Sequence, residues 1–196
     1  MIQPVKKFPV VLDIETKHSF RDFNDPEKLG ISVAAIFDYR NNQKKVFEEK
    51  ELNSLFPILE SSSYIVGYNV ANFDIAVLQG YYPGEVSIFT PFDILDDIKS
   101  KIGKRISLNE VISATLGKKK SGHGLEAINL YRDGKIDQLK SYCLDDVMFT
   151  KELFEYGINN NEIFYMESMG RMPIKVDWRK YLEGQENKDT PLTLPF

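Results

Sequence analysis

The chain lacks most of the features that announce common functional classes. It has a single cysteine, Cys143, which excludes a disulfide framework and any zinc knuckle, because each needs several ligating or pairing side chains. No apolar run approaches the roughly 18 residues that cross a bilayer, so a soluble protein without a membrane partner is expected. No basic stretch followed by a long apolar one stands near the N-terminus, and the expected compartment is the cytoplasm. There is no internal repeat. Positive charge is also short: the formal net charge is −4, so the bulk attraction that drives most non-specific nucleic-acid binding is missing. That deficit depends on where the acids sit, because carboxylates that hold divalent cations are neutralised when loaded.

What is present is material for one core. At 196 residues and 42% hydrophobic content, the chain fills one ordinary domain with short tails. Phe8 to Ile14 (FPVVLDI) is a short, valine-rich apolar run that suits a strand covered on both faces, read as the first and central strand. Ile31 to Tyr39 and Lys45 to Glu48, separated by a polar turn, fit two antiparallel strands. Glu51 to Leu59 has apolar residues at helical spacing, Tyr64 to Tyr68 (YIVGY) is another buried strand, and a helix should start near Phe73. From Ile94 onward the pattern is mostly helical. Ser107 and Glu110 have capping-box spacing, Gly117 closes that helix, and a loop GKKKSGHG leads to helices over Leu125 to Tyr131 and Ile136 to Tyr156. The segment IFYMESMGRMPIKVDW alternates on both sides of Met169-Gly170 and reads as a hairpin. The expected fold is therefore α/β, a mixed central sheet flanked by helices. Residues 1–160 make the main domain, 161–180 a C-terminal β-hairpin extension, and 181–196 a flexible tail.

The chemistry is carried by acids. Asp13 and Glu15, at i and i+2 at the end of the first strand, point to one face. Two carboxylates held together there repel and lose hydration, and a divalent cation such as Mg²⁺ or Mn²⁺ is the simplest compensation. Alone, D-x-E also fits a solvated strand end. Asp74 lies in the first turn of the helix after YIVGY, where a helix N-terminus favours an acid for dipole reasons too. Tyr142 and Asp146 are four residues apart on the long helix and share one face. Asp145, the competing acid, points about a quarter-turn away.

In order, LDIET, GYNVANFD and YCLDD resemble the three motifs of the DnaQ-like (DEDD) 3′-5′ exonuclease superfamily, over roughly residues 8 to 157. Ser141 stands where the histidine form of the third motif would place its histidine, whereas Tyr142 satisfies Y-x3-D, the DEDDy form. The stretch KSGHGLEAINLYRDGKIDQLKSYCLDDV is similar to the YprB-type group, related to the exonuclease domains of family B DNA polymerases. The resemblance implies a ribonuclease H-like fold and 3′-5′ hydrolysis of phosphodiesters by a two-metal mechanism. It implies that Asp13, Glu15 and Asp146 hold one Mg²⁺ or Mn²⁺, that Asp13 and Asp74 serve a second, and that Tyr142 orients the attacking water. The substrate it implies is single-stranded nucleic acid or a 3′ end, DNA favoured over RNA, in a role such as DNA repair. A catalytically silent module of this fold would have lost an acid, and none is lost. Ribonuclease H-type endonucleases pair a lone first-strand Asp with acids elsewhere, and D-x-E with Y-x3-D argues against them.

Substrate grip has two readings at each position. Lys118, Lys119, Lys120 and His123 contact phosphates through a glycine-flanked loop, or form a solvated lysine run. His18 lines the cleft or lies on the surface. Asn69 bonds the terminal nucleotide or caps the helix carrying Asp74. The tail PLTLPF is similar to the peptide by which bacterial repair proteins dock on the sliding clamp, with Pro191 in place of glutamine. Leu192, Leu194 and Phe196 either reach that partner or fold back on the domain.

Overall fold

The computed structural model describes residues 7–119 and 124–183. Strands β1 (Val10–Thr16), β2 (Ile31–Asp38), β3 (Gln43–Glu48), β4 (Ile65–Gly67) and β5 (Pro91–Asp93) form one sheet in the order β3-β2-β1-β4-β5. β1 is antiparallel to β2 and parallel to β4, and β5 continues the parallel half. Helices α1 (Leu52–Glu60), α2 (Asp74–Leu78), α3 (Ile94–Ile102), α4 (Leu108–Leu116), α5 (Gly124–Arg132), α6 (Ile136–Asn160) and α7 (Arg179–Leu182) accompany it, with a separate hairpin β6 (Glu162–Glu167) and β7 (Gly170–Lys175). Among the described residues no helix is long and apolar enough to cross a membrane.

Alternation along β1 sorts its side chains to two cores. Val10, Leu12 and Ile14 join α1, α2, Leu29, Ile31 and Ile36 on one face. Val11 faces the other way, into a core with α3, α4 and α6. Asp13 and Glu15 share the parity of Val11, so the pleat that buries this strand also aims both acids at α6. The run begins two residues later than the sequence suggests, and Asp13 and Glu15 are the fourth and sixth of its seven residues.

The sheet opens beside these acids. β1 pairs with β4 only at Val10↔Ile65 and Val11↔Val66, because β4 ends at Gly67. A Cβ there would stand 2.5 Å from Val70 Cβ and 3.1 Å from the Leu12 carbonyl oxygen, so the turn into α2 closes only around glycine. The helix that follows begins at Asp74, capped by no side chain.

Three residues of β5 are too few to show a period, and this strand is absent from the sequence reading, which begins its helical region at Ile94. α4 carries the expected capping box from Ser107 and Glu110 and ends at Gly117 with φ +68°. α6 runs four residues beyond Tyr156 and stops at the left-handed Asn161. The hairpin forms as expected but turns at Ser168 and Met169, one residue earlier, with Gly170 already paired to Glu167. Behind it, Trp178 is 1% exposed, stacks on Phe154 and donates its indole N–H to Asp97 at 2.8 Å. It packs on Gly157, where an added Cβ would lie 2.3 Å from its ring. Lys120, His123, Leu192, Leu194 and Phe196 lie outside the described residues.

Candidate active site

α6 crosses the β1 face that carries the acids and buries Leu139, Tyr142, Cys143, Asp146, Val147 and Thr150. A carboxylate oxygen from each of Asp13, Glu15 and Asp146 lies within 4.8 Å of the others. Oxygens on a single Mg²⁺ at about 2.1 Å are at most about 4.2 Å apart. A small side-chain adjustment would therefore bring the trio around one ion. Asp146 is 5% exposed, whereas its neighbour Asp145 is exposed, as the helical register requires.

Asp74 reaches the same strand from the other side. Its Oδ1 accepts the Ile14 backbone N–H at 2.8 Å, at a point where the β1–β4 ladder has already ended. The carboxylate thus satisfies a strand donor between Asp13 and Glu15. Burial, then the charge of Asp13, holds the Asp74 carboxyl well above the usual carboxylate range. Burial, followed by Asp146, Glu15 and Asp13, pushes the Tyr142 phenol far up, so it keeps its proton at neutral pH and can donate a hydrogen bond. The Cys143 thiol, 3.4 Å from the Asp13 carbonyl and 3.5 Å from its carboxylate, is likewise raised by burial and these acids. The donors are hard oxygens and their mutual repulsion asks for positive charge. Both features fit Mg²⁺ or Mn²⁺ and not a soft metal.

A further buried acid, Asp93, holds the loop that leads to Asp74. Its two oxygens accept backbone N–H groups of Asn69 (2.9 Å), Ala71 (3.0 Å), Leu95 (3.0 Å) and Asp96 (3.3 Å). This residue was missed by the sequence reading. Its signal was an acid just before an apolar helical run, an ordinary N-cap pattern. Asn69 adopts φ +69°, and its side-chain oxygen accepts from Arg105 at 2.8 Å. It does not cap α2 with its side chain.

The ribonuclease H-like fold recurs in a solved structure. The family B DNA polymerase of the hyperthermophilic archaeon Pyrobaculum calidifontis superposes with a TM-score of 0.59 at 20% identity, over 79% of this chain and 25% of the polymerase. The fold is ribonuclease H-like. This chain spans only about a quarter of that polymerase. E. coli exonuclease I, solved in complex with a 5cy-dT13 oligonucleotide, gives a TM-score of 0.44 at 15% identity, covering 79% of this chain and 41% of that one. No family model and no curated protein matches the sequence.

The remaining candidates are spread more widely. His18 is half-buried in the loop after β1, edge-on to Phe23 with centroids 5.1 Å apart. Two residues on, the half-exposed Phe20 meets Phe73 edge-on at 5.9 Å, which ties this loop to the residue before Asp74. Lys118 is engaged with Glu152 of α6, which competes with a phosphate role, and Lys119 is exposed.

Proposed function

We propose that this chain is a divalent-metal-dependent 3′-5′ exonuclease acting on single-stranded nucleic acid or frayed 3′ ends, DNA favoured over RNA. The observation that carries the reading is the meeting of Asp13, Glu15 and Asp146, from two separate elements, within 4.8 Å, with Asp74 bonded to the same strand. Exonuclease, not endonuclease, rests on the motif order with Tyr142 one turn before Asp146. DNA is favoured because a solved chain with this fold is a DNA polymerase. When bound, a pair of divalent ions stabilises the attacking and leaving oxygens of an in-line displacement at phosphorus.

The chain's own residues divide the remaining work. Asp13, Glu15 and Asp146 hold positive charge at the β1–α6 seam, and Asp74 extends that field toward α2. Tyr142, protonated, donates a hydrogen bond that orients water against the phosphodiester; a phenol is a poor base at neutral pH. Asn69, His18, Lys118 and Lys119 are candidates for substrate contact, and Leu192, Leu194 and Phe196 for docking on a sliding clamp.

The test is a time course on 5′-labelled DNA and RNA with Mg²⁺ or Mn²⁺. Stepwise shortening from the 3′ end, abolished by chelation and slowed by a blocked 3′ terminus, is expected. Circular single strands cut as fast as linear ones would sink the exonuclease assignment. For the tail, a labelled Thr190 to Phe196 peptide is titrated against a bacterial clamp. Absence of binding at about 100 μM, where weak docking still registers, removes that partner.

A further inference from the structure

The loop after β1 has two sides. One side touches Phe73 beside Asp74; the other forms a cleft of about 240 Å³ against α5, lined by Ser19, Arg21, Asp22, Ile128, Asn129 and Arg132. Two guanidinium groups enter it from separate elements, in a chain whose net charge is −4. Arg21 makes no ion pair among the described residues. Arg132 forms a loose ion pair with Asp22 at 3.8 Å, beyond hydrogen-bond length, so its N–H groups stay available to a further acceptor. One oxygen of Asp22, Oδ2, accepts from the Ser19 N–H (2.8 Å) and Oγ–H (2.9 Å). Those bonds fix the loop that presents Arg21, and the lining keeps one net positive charge.

We propose that this cleft is an anion site for a phosphodiester of the substrate strand, upstream of its 3′-terminal nucleotide. The inference rests on the nuclease reading above. Its volume falls below the roughly 300 Å³ at which pockets begin to enclose a drug-sized ligand, and it offers buried apolar surface only at Ile128. A phosphate fits that size, and the planar forks of arginine match its oxygens in pairs. The placement suits a strand leaving the acids. Ser19 lies four residues beyond Glu15, and α5 packs against both β1 and α6. Glu126 and Leu130, on α5 ahead of Arg132, line one cleft with Tyr142. A strand with its end at Tyr142 can therefore run along α5 to Arg132. Such an anchor gives an acidic protein local grip on the backbone without a basic surface.

The experiment compares dT3 with dT12, by steady-state hydrolysis and by equilibrium binding, for wild type and the Arg21→Gln/Arg132→Gln double variant. Both side chains are exposed, and thermal melting checks that the variant folds. Wild type should prefer dT12 through KM. The variant should lose about tenfold of that preference, with the change in KM and not in kcat. Its dependence of log binding constant on log salt should flatten by about 0.7 to 1.4, the slope of one or two phosphate contacts on a single strand. A neutral methylphosphonate walked along dT12 should reproduce the loss at one linkage in wild type and add nothing there in the variant. Lys175→Ala, on β7, should keep the wild-type length preference. An unchanged preference, an equal loss on dT3 and dT12, or the absence of any non-additive linkage overturns the site. Metal-dependent hydrolysis with an unchanged length preference defeats the site alone. Linkage-specific, arginine-dependent binding without hydrolysis defeats the nuclease reading and leaves the site standing.

Discussion

Asp74 and Asp93 are buried almost equally, at 4% and 7% exposure, and both stand at the start of a helix, yet their surroundings differ. Asp93 collects four backbone N–H groups from two segments. Burial raises its carboxyl, and the N–H groups of Ala71 and Asn69 oppose the rise. Asp74 has the Ile14 and its own N–H, but burial and the facing charge of Asp13 hold it well above the usual carboxylate range. One acid is completed by the fold. The other is left facing a like charge that a proton or a cation relieves, and that contrast, more than burial, sets the proposed site carboxylate apart from a structural one.

The contrast can be broken by substitution, and activity should respond most. Asp13→Asn and Asp146→Asn should each lower exonuclease turnover at least about a thousandfold, roughly 4 kcal/mol of barrier. Asp145→Asn should stay within about tenfold. A worse loss at Asp145 would mean that α6 presents the other acid.

Stability should respond very unequally at the two aspartates. Asp93→Ala orphans four donors and should cost about 3 kcal/mol or more in chemical denaturation. Asp74→Asn, in metal-free protein, should cost far less or stabilise. Equal losses at both would erase the distinction. As an unrelated yardstick, Gly157→Ala should cost about 1–3 kcal/mol, because Trp178 must move aside.

Millimolar Mg²⁺ or Mn²⁺ should raise the melting temperature of wild type by about 3–6 °C, from about 1.4 kcal/mol at tenfold excess over Kd in a protein of this size. Asp13→Asn should lose most of that response. A shift preserved in the variant would place the cation elsewhere.

The smallest effect is a pH slope in chelator. Asp74 has a raised folded-state value, so above the ordinary carboxylate pKa of about 4 the folded chain holds more proton than the unfolded one. Stability then falls as pH rises from about 4 toward the raised value. Asp74→Asn should flatten that limb and Asp93→Asn should change it less; the reverse ranking would contradict the assignment.

Much of this arrangement was legible in the sequence, and the reasons are physical. D-x-E on a valine-rich run gives the face of Asp13 and Glu15 directly, since strand parity has only two values. Tyr142 and Asp146 follow from helical spacing in the same way, and so does the exposure of Asp145. What escaped was non-local. Asp93 reads as one more N-cap until the loop over Asn69 and Ala71 folds onto it, and β5 is too short to show a period. The Arg21 and Arg132 cleft joins positions more than a hundred residues apart that no spacing relates. Lys118 shows the converse, since a residue in a promising lysine run is engaged by Glu152.

The early end of β4 leaves Ile14, on that side of the sheet, with a carboxylate in place of a strand partner. Its amide proton is therefore a local voltmeter for the site. In an ¹⁵N-resolved spectrum it should sit downfield while Asp74 is ionised and move when Asp74 protonates or a cation draws its charge away. Occupancy could thus be followed in solution, residue by residue, with no substrate turned over.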